Sequence, residues 1–68
     1  MDVQSQARIR LALRVLTASV YHAPTSESDL EALRALALPN ELHLRDDQLA
    51  CLVIQRELAQ RNARAAGA

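Results

Sequence analysis

The run of six apolar residues from Leu49 to Ile54 constrains the fold more than any other part of the chain. It lies in DDQLACLVIQRELAQ, residues 46–60, which contains no glycine or proline and predicts a helix. Successive side chains of a helix are about 100° apart, so these six point in every direction around the axis. A helix on the surface of a monomer needs only one apolar face. This helix must therefore be covered on two sides.

Residues 3–21 predict a second long helix, which also has more than one apolar face. One stripe follows helical spacing and consists of Ile9, Ala12, Leu13, Leu16 and Val20. A second stripe lies on nearly the opposite side and consists of Ala7, Leu11, Val15 and Ala18. A wide polar strip with Arg10 and Arg14 and a narrow one with Arg8 and Ser19 separate these stripes. The first helix is therefore also expected to need two neighbours.

A short helix over residues 28–38 is predicted between the two long ones. Ser28 and Glu31 form the S-x-x-E pattern of a capping box, and Ser26 with Asp29 gives a weaker version of it. Pro39 ends this helix. The segment 40–45 is compatible with two structures: its alternating leucines allow a short extended piece, and a turn of helix begun by Asn40 fits the sequence nearly as well.

The third helix is predicted over residues 47–63, with a frayed tail at 64–68. Asp46 or Asp47 would cap it and place negative charge at the positive end of its dipole. Glu57 and Arg61 have the spacing of a favourable surface ion pair.

These elements predict an all-α fold for the single domain 1–68: a small three-helix domain with two long antiparallel helices and a short capped helix between them. A chain of 68 residues is close to the size at which one core needs support from disulfides, metal or oligomerisation. Cys51 is the only cysteine, so an internal disulfide is excluded. We therefore expect a homodimer that forms a helical bundle. Its interface is predicted from the second apolar faces, namely Leu11, Val15, Ala18, Cys51, Ile54 and Leu58.

The charge distribution argues against nucleic acid as the main partner. The formal net charge is zero, and basic ends flank an acidic middle segment. This pattern favours self-complementary docking over long-range attraction to phosphates. A dimeric DNA-binding regulator remains the alternative function, and the residues that would carry it are Arg8, Arg10, Arg14, Arg61 and Arg64.

Catalysis and metal binding are the weakest functional hypotheses. Cys51 could act as a nucleophile with His43 as base, but the only glycine is Gly67, so no glycine-rich loop exists to form an oxyanion site. His22, His43 and Cys51 match no common zinc spacing. The sequence thus predicts no catalytic residue, no cofactor and no metal site, and a packed Cys51.

The remaining sequence features concern location and origin. No run of 18 apolar residues exists, and the N-terminus lacks the basic segment of a signal peptide, so we expect a cytoplasmic protein that does not contact membranes. All eight basic residues are arginine, which favours a GC-rich bacterial or phage genome. The expected function is binding to itself or to another protein, as an adaptor, chaperone, inhibitor or regulator.

Overall fold

The protein folds into three helices, and the computed structural model describes residues 3–67. Helix α1 spans Val3–Val20, α2 spans Glu27–Ala35 and α3 spans Asp46–Gly67, with one 3-10 turn at Pro39–Glu41. Helices α1 and α3 pack along each other in antiparallel orientation, and α2 packs against both. No strand occurs within residues 3–67. The predicted all-α class and its pair of long helices are confirmed.

The helix bounds differ from the prediction mainly at the ends. Helix α2 begins at Glu27 and ends at Ala35, rather than spanning 28–38. Helix α3 continues through the predicted frayed tail to Gly67, because the segment 63–66 consists of strong helix formers, three alanines and an arginine. Residue 68 lies outside the described range.

The predicted capping box of α2 does not form. Ser26, not Ser28, precedes the helix in extended conformation, and its side chain makes no capping hydrogen bond. The Ser26 and Ser28 hydroxyl groups lie 2.8 Å apart and bond to each other instead. Glu27 and Asp29 lie in the first turn of the helix, where their negative charge interacts favourably with the positive end of the helix dipole.

Helix α1 ends in a Schellman motif that contains His22. The N–H of Ala23 donates to the carbonyl oxygen of Ala18 at 2.8 Å, and the N–H of His22 donates to that of Ser19 at 3.3 Å. His22 adopts the left-handed conformation with a φ of 54°, in the position that glycine usually occupies. Pro24 follows Ala23 directly, so the chain turns sharply towards α2.

The connection from α2 to α3 is a turn of helix, and it starts at Pro39 rather than Asn40. Glu41 closes it twice: its N–H donates to the Leu38 carbonyl oxygen, and its carboxylate accepts the Leu38 N–H, both at 2.8 Å. Asp46 and Asp47 lie inside the first turn of α3 and do not precede it as caps. Gln48 caps the start of α3 instead, because its side-chain oxygen accepts a hydrogen bond from the N–H of Arg45 at 3.1 Å.

The core is small and lies where the three helices meet. Its buried apolar residues are Leu11, Ala12, Val15, Leu33, Leu49, Ala50 and Val53. Half-buried side chains extend it: Leu16, Leu30, Leu36, Ala37, Leu44 and Ile54. None of the helices within residues 3–67 is long and apolar enough to cross a membrane.

Candidate functional site

Leu11 and Val15, which the sequence assigns to an interface with another chain, lie in the protein's own core. Their side chains are only 8% and 1% exposed. Leu33 of α2 belongs to the same buried cluster and is fully buried, so α2 covers this side of α1. Ala18 is half-buried. The assignment of Leu11 and Val15 to a second chain is therefore wrong, because the short helix reaches them first.

The side of α1 that faces α3 is partly polar, so hydrophobicity alone does not identify it as the side that packs. Ser5, Arg8, Ala12 and Val15 follow i, i+3, i+7 and i+10 spacing and lie along one line of the helix. Ser5 is 8% exposed and Ala12 is fully buried. Helix α1 thus packs against α3 along a line that includes Arg8 of the narrow polar strip.

Glu57 of α3 makes this polar packing possible. Its side chain accepts a hydrogen bond from the Ser5 hydroxyl at 2.9 Å and one from Arg8 Nη1 at 3.0 Å. Glu57 is only 7% exposed, whereas Arg61 is exposed. The predicted Glu57–Arg61 surface pair is wrong, because the Glu57 carboxylate is directed into the contact between α1 and α3.

A second polar cluster joins α3 to the end of α2. Arg56 Nη1 donates to both carboxylate oxygens of Glu41, at 2.8 and 2.9 Å, and Arg56 Nη2 donates to the Leu36 carbonyl oxygen at 3.1 Å. The hydrogen bond from the Leu38 N–H is the main cause that lowers the pKa of Glu41 below its ordinary value, and Arg56 acts in the same direction. Arg56 therefore holds the 3-10 turn and the end of α2 against α3.

The uncovered apolar surface lies on the other flank of α1. Leu13 is 46% exposed and Val20 is 65% exposed, while Ile9 and Leu16 on the same stripe are half-buried. On α3, Cys51 and Ile54 are half-buried and Leu58 is 41% exposed. We call these residues together the α1–α3 apolar face: Ile9, Leu13, Leu16, Val20, Cys51, Ile54 and Leu58. The interface role predicted for its three α3 members stays a prediction.

A groove of about 380 Å³ adjoins this face and shares Leu16 and Cys51 with it. Leu16 lines it from α1, Leu44 from the connection, and Cys51 and Leu52 from α3. Polar side chains of α3 form its rim: Asp47, Gln48 and Gln55. An apolar floor with a polar rim is the arrangement that protein-binding surfaces commonly have.

The arginines proposed for nucleic-acid binding do not form one free cluster. Arg8 pairs with Glu57, and Arg14 binds Asp29 through two hydrogen bonds of 3.2 Å. The hydrogen bonds that Arg14 donates to Asp29, and the negative charge of that carboxylate, raise the pKa of Arg14. Arg10, Arg61 and Arg64 are exposed and form no ion pair within the described part of the chain. Two of the five candidates thus hold the fold together.

Within the described part of the chain, the two histidines and the cysteine do not belong to a group of possible metal ligands. His22 and His43 are exposed, and Cys51 is a half-buried free thiol in the groove of the α1–α3 apolar face. Within residues 3–67, no three His, Cys, Asp or Glu side chains are grouped so that they could hold a metal ion.

Comparison with protein families, curated proteins and solved structures gives no match for this chain.

Proposed function

We propose that this is a non-enzymatic protein-interaction protein, an adaptor, chaperone or inhibitor, that acts as a homodimer through the α1–α3 apolar face. The single observation that carries the proposal is that both long helices keep exposed apolar side chains, Leu13 and Val20 on α1 and Leu58 on α3, while Leu16 and Cys51 line one groove. Helix α2 covers the opposite flank of α1 and leaves this one open. Large apolar surfaces rimmed by polar residues mark sites of protein contact.

The surface area of the chain supports a second copy as the occupant. Its accessible surface is 4821 Å², whereas a folded monomer of 7.5 kDa is expected to expose about 4,250 Å². The face runs along α1 from Ile9 to Val20, about 17 Å, and is two helix diameters of about 10 Å each in width.

Sedimentation equilibrium over a series of concentrations tests the dimer. We expect the average mass to rise from 7.5 kDa towards twice that value. Burial of the exposed half of Leu13, which is 46% exposed, contributes about 1 kcal/mol in each copy. The burial in both copies therefore contributes about 2 kcal/mol, which changes the dissociation constant roughly thirty-fold. Leu13→Glu should weaken the dimer by more than this, because it also places a carboxylate in the interface.

Leu42→Glu is the matched control. Leu42 is 52% exposed and lies on the connection, where its carbonyl oxygen accepts a hydrogen bond from Arg34 of α2. This variant should sediment as the unchanged protein does. A wild-type protein that remains a folded monomer at every concentration would refute the proposal, as would equal effects of the two substitutions.

A further inference from the structure

A second groove, of about 560 Å³, lies beyond the end of α2. Helix α2 ends level with Arg56, which donates to the Leu36 carbonyl oxygen at 3.1 Å. Helix α3 continues from there to Gly67, eleven residues or about 16 Å further. The short helix is therefore too short to cover the long pair along its whole length.

The groove has an apolar base and a basic rim. Leu36, Leu38 and Val53 form the base, and Leu38 is 52% exposed. The rim carries polar and charged side chains from both long helices: Gln4, Arg8, Arg56, Glu57, Gln60 and Arg64. The lining of the groove thus contains three guanidinium groups and one carboxylate.

The ion pairs around the groove leave it with an excess of positive charge. Arg8 is paired with Glu57, and Arg56 is paired with Glu41 just outside the lining. Arg64 is exposed and has no ion pair within residues 3–67. A guanidinium group binds carboxylates through paired hydrogen bonds. The charge that complements this groove is therefore negative.

We propose that this groove binds an acidic amphipathic segment of a partner protein. An apolar side chain of that segment would contact Leu38, and a carboxylate would bind Arg64. The bound segment would continue the line of α2 along α1 and α3. A peptide fits better than a small molecule, because only Val53 and Glu57 of the lining are buried and a small ligand would stay largely in water.

The test uses fluorescein-labelled peptides of about 12 residues, in which leucines with helical spacing alternate with glutamates. Fluorescence anisotropy at low and high salt should show binding that salt weakens. A second panel replaces each glutamate by glutamine and should bind at least ten-fold more weakly. Amide shifts of the isotope-labelled protein should concentrate at Leu38, Val53 and Arg64.

Two pairs of variants locate the site. Arg64→Ala should weaken binding about five-fold or more, whereas Arg61→Ala on the same exposed part of α3 should change it less than two-fold. Leu38→Ala should weaken binding, and Leu42→Ala should not. All four positions are exposed, so the variants are expected to fold.

Three results would overturn the proposal. The first is absence of binding by every acidic peptide at low salt, and the second is an equal effect of Arg61→Ala and Arg64→Ala. The third is loss of self-association in Arg64→Ala without any peptide binding, which would assign the groove to a second copy. The sedimentation results for Leu13→Glu are independent of these measurements, so failure of the dimer and failure of the peptide site remain distinguishable.

Discussion

Replacement of Leu33 by alanine tests whether α2 is the element that covers Leu11 and Val15. Leu33 is the only buried residue of α2 and is fully buried. A change from leucine to alanine at such a position costs about 3 to 5 kcal/mol, because apolar contact is lost and a cavity remains. The total stability expected for 68 residues is about 3 to 10 kcal/mol. Leu33→Ala should therefore remove a large part of the free energy of unfolding.

Urea and thermal unfolding, followed by circular dichroism at 222 nm, measure this loss. A cost of about 3 kcal/mol should lower the melting temperature by about 12 °C or more. Both proteins must be compared at the same concentration, because self-association would stabilise each of them by mass action. Leu42→Ala is the control: it removes the same atoms from a side chain that is 52% exposed, and it should cost less than about 1 kcal/mol.

Equal costs for Leu33→Ala and Leu42→Ala would refute the reasoning. Such a result would mean that α2 does not hold its place over the long helices. Leu11 and Val15 would then be accessible to another chain, as the sequence pattern alone predicts. A large difference between the two variants would place both residues in the monomer core.

Two further predictions concern the turns that join the helices. His22→Gly should stabilise the fold by about 1 kcal/mol, because glycine adopts the left-handed conformation without steric cost; a higher melting temperature than that of His22→Ala would show it. The lowered pKa of Glu41 means that its contribution to stability is present above the ordinary value near 4.5 and is lost as the pH falls below it. The difference in urea unfolding between the wild-type protein and Glu41→Gln should therefore be present at pH 7 and shrink as the pH falls below 4.5, and a constant difference would contradict this.

The fold class could be predicted from the sequence because helical periodicity and proline positions are local signals. The two long segments contain no glycine or proline, and Pro24 and Pro39 mark the ends of the first two helices. The helix bounds were less predictable. The alanine-rich end of the sequence predicts a frayed tail, whereas the high helix propensity of alanine extends α3 to Gly67. Two serines near the start of α2 offer competing caps, and the sequence does not decide between them.

The packing faces could not be predicted, because hydrophobicity was the only criterion available. Along α1, the buried line includes Ser5 and Arg8, whose polar atoms are satisfied by Glu57 more than forty residues away in sequence. No local signal reveals such a partner. On α3, Cys51, Ile54 and Leu58 are half-buried or exposed, and their interface role stays a prediction. On α1, Leu11 and Val15 of the stripe that the sequence assigns to a second chain are buried in the core.

The polar contact at Glu57 also bears on why the two long helices adopt one register. Leucines and alanines recur along both, so apolar contact alone would tolerate a slip by one helical turn. After such a slip, the Glu57 carboxylate would remain at the interface and would lose Ser5, Arg8 or both as donors. A buried group that loses its partners costs about 1 to 3 kcal/mol, and more when it is charged. This penalty is a substantial part of the stability of so small a chain, so Glu57 selects the register in which the α1–α3 apolar face and the basic groove are both formed.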